Sequence, residues 1–220
     1  MLDIPGAVAL DKQRLIGGCV RLRATVDPER LFAEVAALPD AVWGTTGGRV
    51  GVHRAAEALF LRGYAPAEGD KPVEDRPVLQ RLPYVRSLME TLIPAQPLRC
   101  LLARLSAGAA IPVHVDRPPY FSKTLRVHVP VETNGDVHMV AGGLTYHMKP
   151  GEIWVLNNSA PHAVWNAHPR LSRTHLICDF LPSAALLDWL AAGDRDLGSP
   201  RPDVDLHIAK QRQSTAMAGG

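Results

Sequence analysis

Two histidines and one carboxylate stand out for what their types and spacing could do. In IPVHVDRPPY (111–120), His114 and Asp116 are separated by one residue. On an extended strand their side chains share a face, so an imidazole and a carboxylate reach one divalent ion together. Alone, such a pair is common, and a polar pair at a strand edge is the plainer alternative. A second histidine in a distinctive setting shifts the balance. His162 lies in GEIWVLNNSAPHAVWN, behind a Gly-led run and an Asn-Asn turn, 48 residues after His114. Two histidines and a carboxylate from neighbouring strands form the facial set that holds non-haem Fe(II) and leaves three positions open. Structural zinc prefers closed four-ligand sets, usually with Cys. An open set implies catalysis. Oxygen chemistry of the commonest kind also needs a cation for the far carboxylate of a 2-oxoacid. Arg173 opens the apolar run RTHLICDF, eleven residues after His162, and offers a guanidinium fork for that purpose. Arg170, in the loop HPRLS, is the less firmly held alternative.

Those residues need a β scaffold to meet. From residue 98 the chain becomes short runs of strand length: LRCLLARLSAG, TLRVHVPVET, VHMVAGGLTYHM, GEIWVLNN and RTHLICDF, parted by Gly, Pro, Asn or Asp. This rhythm predicts an antiparallel sandwich or barrel. Gly142 and Gly143 between two runs predict a two-residue hairpin. In TLRVHVPVE, Leu125, Val127, Val129 and Val131 alternate with Arg126, His128, Pro130 and Glu132, so one face packs a core and the other faces a pocket. DPERLFAEVAALP predicts a helix over 28–39, capped by an Asp and ended at Pro39. VLQRLPYVRSLMETLIP predicts a second helix over 78–94, kinked or reopened at Pro83, and LPSAALLDWLAAG (181–193) a closing one. GGRVGVHRAAEALFLRGY fits a strand or a mixed segment and is assigned to neither.

Composition removes several function classes. A chain of 220 residues suits one domain with a real core. The net charge is +2 and the basic residues are dispersed, which leaves no electrostatic footprint for nucleic acid. No stretch approaches the ~18 apolar residues of a membrane span, and the first residues lack a signal peptide's basic start and apolar run. A cytoplasmic protein with no membrane partner is the expectation. Cys19, Cys100 and Cys178 are odd in number and widely spaced, as reduced buried thiols are.

Taken together, HVD, TLRVHVPVETN, YHMKPGEIWVLNNSAPHAVWN and RTHLICDF resemble the aspartyl/asparaginyl β-hydroxylase domain family, whose bacterial members include cis-hydroxylases of free L-proline. The likeness covers residues 100–181, with four motifs in order. It implies a double-stranded β-helix (jelly-roll, cupin-like) core over about 98–181, in a fold that is mainly β with flanking helices; the N-terminal half lies outside the likeness and reads as a helical cover or a dimer surface. One domain over 1–194 would be followed by a poorly ordered tail, 195–220. It implies dependence on Fe(II), 2-oxoglutarate and O2, with His114, Asp116 and His162 as iron ligands and Arg173 on the distal carboxylate of 2-oxoglutarate. Arg126 and His128 match the family's LRxH strand. His128 would contact the co-substrate carboxylate near the iron, and Arg126 a carboxylate of co-substrate or substrate. Arg173 falls one residue further from His162 than the pattern, which implies a longer loop at NAHPRLS. Mammalian-type members lack the aspartate ligand, so Asp116 groups this chain with the bacterial members and argues against a halogenase.

The implied substrate is an amino acid, free or within a peptide, or another small carboxylate such as free L-proline. Lys123 and Arg117 are further candidate cations for it, in a segment, RPPYFSK (117–123), that reads as a mobile rim loop. His138, His147 and His168 read as solvent-facing or structural, Trp154 and Trp165 as packing. His175 shares a strand face with Arg173 and fits either the pocket or the core. Two other classes remain: a cupin-like protein that binds a metal and a small acid without turnover, and a hydrolase with zinc or another metal. The second lacks a Glu beside a metal histidine to serve as base.

Overall fold

The computed structural model describes residue 4 and residues 6–44, 55–64, 72–117 and 119–217, with side chains as far as residue 211. A one-turn helix α1 (Lys12–Leu15) leads into β1 (Cys19–Thr25), α2 (Pro28–Ala36), β2 (Ala56–Arg62) and α3 (Pro83–Ser87). Then come β3 (Pro97–Leu105), β4 (Ala110–His114), α4 (Pro119–Lys123), β5 (Leu125–Glu132), β6 (Val137–Ala141) and β7 (Leu144–Tyr146). β8 (Glu152–Leu156), β9 (His162–Asn166), β10 (Arg173–Phe180), α5 (Ala184–Ala192) and α6 (Pro202–Met217) complete the chain. The strands pair antiparallel in two sheets, β1-β8-β5-β10-β3-β2 and β4-β9-β6-β7. This is the expected double-stranded β-helix.

The alternation in β5 sorts the molecule into layers. Leu125, Val127, Val129 and Val131 join Leu176, Cys178 and Phe180 of β10 and Leu31, Val35 and Val85 of the helices in one core, behind the larger sheet. A second core, containing Leu105, Met139, Trp154, Leu156 and Val164, lies between the sheets. Arg126, His128, Arg173, His175 and Asp179 occupy the opposite parity of β5 and β10 and are all buried. They therefore face the second sheet. Gly142 and Gly143 turn the β6–β7 hairpin with φ of 60° and 77°, the left-handed pair that glycine alone adopts without strain.

Local chemistry explains most boundaries. Asp27 caps α2 by accepting from the Arg30 N–H at 3.0 Å, and Ser183 caps α5 by accepting from Leu186 N at 3.1 Å. The segment 78–94 is broken as its prolines dictate: a 3-10 turn (Pro77–Arg81), then α3 opened by Pro83, then a π turn (Leu88–Leu92).

Three expectations need correction. The N-terminal half is more than a helical cover, because β1 and β2 are the two edge strands of the larger sheet. Of the unassigned stretch 47–64, residues 47–54 lie outside the described residues and 56–62 form β2. The tail expected to be poorly ordered carries α6, which buries Val204 and Ile208 against Val140, Ala163 and Trp165. The rim segment is a short helix whose Tyr120 and Phe121 are buried, rather than a bare loop. Among the described residues no helix is long and apolar enough to cross a membrane.

Candidate active site

Pro112 has no N–H to give a β ladder, and at this point the β4–β9 pairing slips. Ile111 pairs with Val164, yet His114 pairs with His162, so three steps on β4 match two on β9. The extra residue is a bulge, which re-aims the side chains beyond it. As a result the two imidazoles face each other, with ring centroids 4.1 Å apart. Asp116 follows just past the strand end, where its N–H donates to the carbonyl of Asn158 at 3.0 Å. One donor atom from each of His114, Asp116 and His162 lies within 4.8 Å of the others.

The surroundings prepare all three as ligands. His114 Nδ1 donates to the Pro112 carbonyl at 2.9 Å and His162 Nδ1 to the Ala160 carbonyl at 3.0 Å. With Nδ1 protonated in both rings, the lone pair sits on Nε2. Burial, then the neighbouring His114, push His162 down to about 3, so it is neutral near pH 7. Burial alone would raise the Asp116 carboxyl, but Arg126, His162 and the Asn158 hydrogen bond outweigh it and hold the group well below the usual carboxylate range. Arg126 Nη1 donates to Asp116 Oδ2 at 2.5 Å and Asn158 Nδ2 donates to the same oxygen at 3.0 Å. Both of these bonds go to Oδ2 rather than Oδ1. A neutral His162 imidazole, a second imidazole facing it, and an ionised carboxylate with one oxygen held back fit a divalent ion.

Arg126 is committed elsewhere than expected. Its Nε and Nη2 grip both oxygens of Asp179, its cross-strand partner, at 2.8 and 3.0 Å, and its plane lies over the Phe121 ring. Burial would lower its pKa, but Asp179 and Asp116 raise it above the ordinary arginine value. The guanidinium thus bridges two carboxylates. Arg117 is exposed, and Lys123 is half-buried at the end of α4.

Arg173 is the opposite case. It is 2% exposed, and among the described residues no carboxylate pairs with it. Burial lowers it to about 9, so it remains charged near pH 7. Its Nη2 donates to His175 Nδ1 at 2.6 Å, which places the His175 proton on Nε2. Arg173 Nε, His175 Nε2 and His128 Nε2 are buried with no partner. His128 and His175 stand edge-to-face across β5 and β10, Nδ1 to Nδ1 at 3.4 Å. Burial, followed by the charge of Arg173, drives both well below ordinary histidine values, so both are neutral. A buried cation beside orphaned polar atoms is costly without an anion. The arrangement fits a carboxylate ligand.

The remaining candidates are structural. Arg170 is exposed; its N–H and that of Leu171 donate to His168 Nδ1 at 3.1 and 2.9 Å, which closes the longer loop on itself. His138 contacts the Trp165 ring, on whose side His207 of α6 also stacks. Three contributors escaped the sequence reading: Asp179, Asn158 and Lys12. The parity of RTHLICDF marks Asp179 as facing with Arg173 and His175. Asn158 passed as a turn residue, and no local pattern marks Lys12.

Comparison with known proteins agrees with this architecture. A solved oxidoreductase of the 2OG-Fe(II) oxygenase family from Burkholderia pseudomallei matches 77% of this chain and 87% of its own, with a TM-score of 0.54 at 17% identity, a likeness of fold. The family model for aspartyl/asparaginyl beta-hydroxylase matches residues 57–182, and the chain belongs to that family. An L-proline cis-4-hydroxylase of Rhizobium meliloti (strain 1021) is 30% identical over 141 residues, 60% of this chain. That match spans about half, 49%, of the relative's length.

Proposed function

We propose that this chain is an Fe(II)- and 2-oxoglutarate-dependent hydroxylase that uses O2 and acts on an amino acid, free or within a peptide. One observation carries the reading: a prepared His114–Asp116–His162 set shares the space between the sheets with a buried guanidinium, Arg173, that has no carboxylate partner. His114 and His162 would hold the metal through Nε2 and Asp116 through Oδ1. When bound, the metal would let O2 act as the oxidant that exchanges C–H for C–OH, with the 2-oxoacid consumed alongside as co-substrate. The protein's part is to bind, orient and exclude water. Arg173 would hold the distal carboxylate of 2-oxoglutarate in a pocket dry enough to strengthen that contact. His128, whose Nε2 is unpartnered, would contact the carboxylate nearer the metal in the tautomer that carries its proton on Nε2. Arg126 would act on Asp116, since three of its five N–H donors already go to the two aspartates.

Free L-proline is the second reading for the substrate, favoured by the likeness to the L-proline cis-4-hydroxylase. The test is succinate release from 2-oxoglutarate by the iron-loaded protein in air, with free L-proline, other free amino acids and Asp- or Asn-containing peptides offered in turn. Stimulation by one of these supports the reading, and the compound that stimulates names the substrate class. His114→Ala and Asp116→Ala should lose both iron and succinate release. Full activity in either variant, or no succinate from the iron-loaded protein with any compound, would contradict it.

A further inference from the structure

Lys12 lies in α1, ahead of the first strand and outside every element that carries the triad. Its side chain is 3% exposed, and its ammonium donates to Asn158 Oδ1 at 2.7 Å across 146 residues of sequence. No carboxylate pairs with it directly among the described residues. A buried ammonium compensated by one neutral acceptor is a poor contributor to stability. Burial accordingly pushes it down to about 8, against the pull of the more distant Asp179.

What the contact does is fix a direction. Asn158 has one acceptor end and one donor end. The ammonium only donates and the ionised Asp116 only accepts. With Asn158 Oδ1 on Lys12, the amide NH2 must face Asp116 Oδ2, which it meets at 3.0 Å. A flipped amide would set NH2 against ammonium and C=O against carboxylate, unfavourable at both ends. Asn158 also accepts the Asp116 N–H through its backbone carbonyl, so it holds both the main chain and the side chain of that ligand.

We propose that Lys12 is a positioning residue for the metal: by fixing the Asn158 amide it keeps Asp116 Oδ2 occupied and presents Oδ1 to the ion. The proposal rests on the metal reading above and assigns the N-terminal segment a part in the site. Residues that orient metal ligands in this way typically cost about 10- to 100-fold in affinity when removed.

Cobalt(II) titration of the metal-free 220-residue chain, read from its visible d–d absorption, tests it alongside the melting temperature of the same metal-free samples. Lys12→Met is expected to bind Co(II) about 10-fold more weakly with an altered d–d spectrum, while melting at or above the wild-type temperature. Asn158→Ala should weaken binding by at least as much, and adding Lys12→Met to it should weaken binding no further, because Lys12 acts through Asn158. Wild-type affinity in Lys12→Met, in a protein whose Co(II) binding is lost on His114→Ala, overturns the proposal and leaves the metal site standing. Wild-type protein that binds Co(II) no better than His114→Ala overturns the metal reading itself. Weaker binding accompanied by a lower melting temperature, or fully additive with Asn158→Ala, assigns Lys12 to the fold and also overturns the proposal.

Discussion

Arg126 and Arg173 are both buried, both lie on the inner face of one sheet, and their strands β5 and β10 are neighbours. Their surroundings differ completely. Arg126 is held by two carboxylates and an aromatic face, with Arg99 Nε also 3.5 Å from the shared Asp179. Among the described residues the Arg173 guanidinium hydrogen-bonds to a neutral histidine alone and keeps an unpartnered Nε. Burial therefore does not by itself mark an arginine as functional. A satisfied guanidinium fits a part in the architecture; an unsatisfied one has room for an anionic ligand. The same comparison separates two ends of the site, one built around Asp116 and the other around Arg173.

The largest expected effect falls on the satisfied end. Asp179→Ala leaves Arg126 and Arg99 facing each other without their shared partner, and removing one member of a buried ionic cluster costs roughly 3–5 kcal/mol. Urea denaturation of the metal-free protein should show it as a lower midpoint; an unchanged midpoint would mean that Arg126 does not depend on Asp179. At the open end, Arg173→Ala should behave in reverse. Stability should hold or rise as an uncompensated buried charge leaves, while affinity for 2-oxoglutarate in calorimetric titration of metal-loaded protein falls by about 2–5 kcal/mol. A variant that unfolds, or binds 2-oxoglutarate normally, would break the contrast.

The smallest effect is the pH dependence that Lys12 adds. Its folded value, about 8, lies below its ordinary 10.5, so between those values the unfolded chain binds more protons. Unfolding free energy therefore gains a rising contribution over that window, and below it the cost of the buried charge is fully present. The buried thiols of Cys19 and Cys100, whose values are raised by burial, act in the opposite sense above their ordinary value of 9. The difference between wild type and Lys12→Met isolates the lysine. Wild type should gain stability relative to the variant from pH 8 to 9.5. A flat difference would mean that the ammonium is not strained by burial.

Much of the core fold was legible in sequence because periodicity and burial coincide there. The alternation of TLRVHVPVE is the division between packed core and pocket, and the paired glycines of VHMVAGGLTYHM are the hairpin turn. Residues 56–62, AEALFLR, were opaque: alanine, glutamate and leucine favour helix, and pairing with β3 overrides that preference. The tail failed for another reason. Among its described side chains the helix buries Val204 and Ile208, one turn apart in a polar sequence, although Pro202 and the acidic residues at 203 and 205 are ordinary helix-start signals. The clustering of His114, Asp116 and His162 could be anticipated from their types and spacing, although a bulge precedes His114 and Asp116 lies past the strand end. The role of Arg126 could not, because the carboxylates that claim it are 10 and 53 residues away and only pairing brings them together. Lys12 is the extreme case, reaching its partner across 146 residues.

The most direct measurement is anaerobic addition of Fe(II) and 2-oxoglutarate to the metal-free protein, following the weak visible charge-transfer band of the chelated co-substrate in wild type and in Arg173→Ala. The account predicts a band in wild type that requires both additions and appears in the variant only at much higher 2-oxoglutarate. No band from iron-loaded wild type, or identical titrations for the two proteins, would contradict the claim that His114, Asp116, His162 and Arg173 form one site.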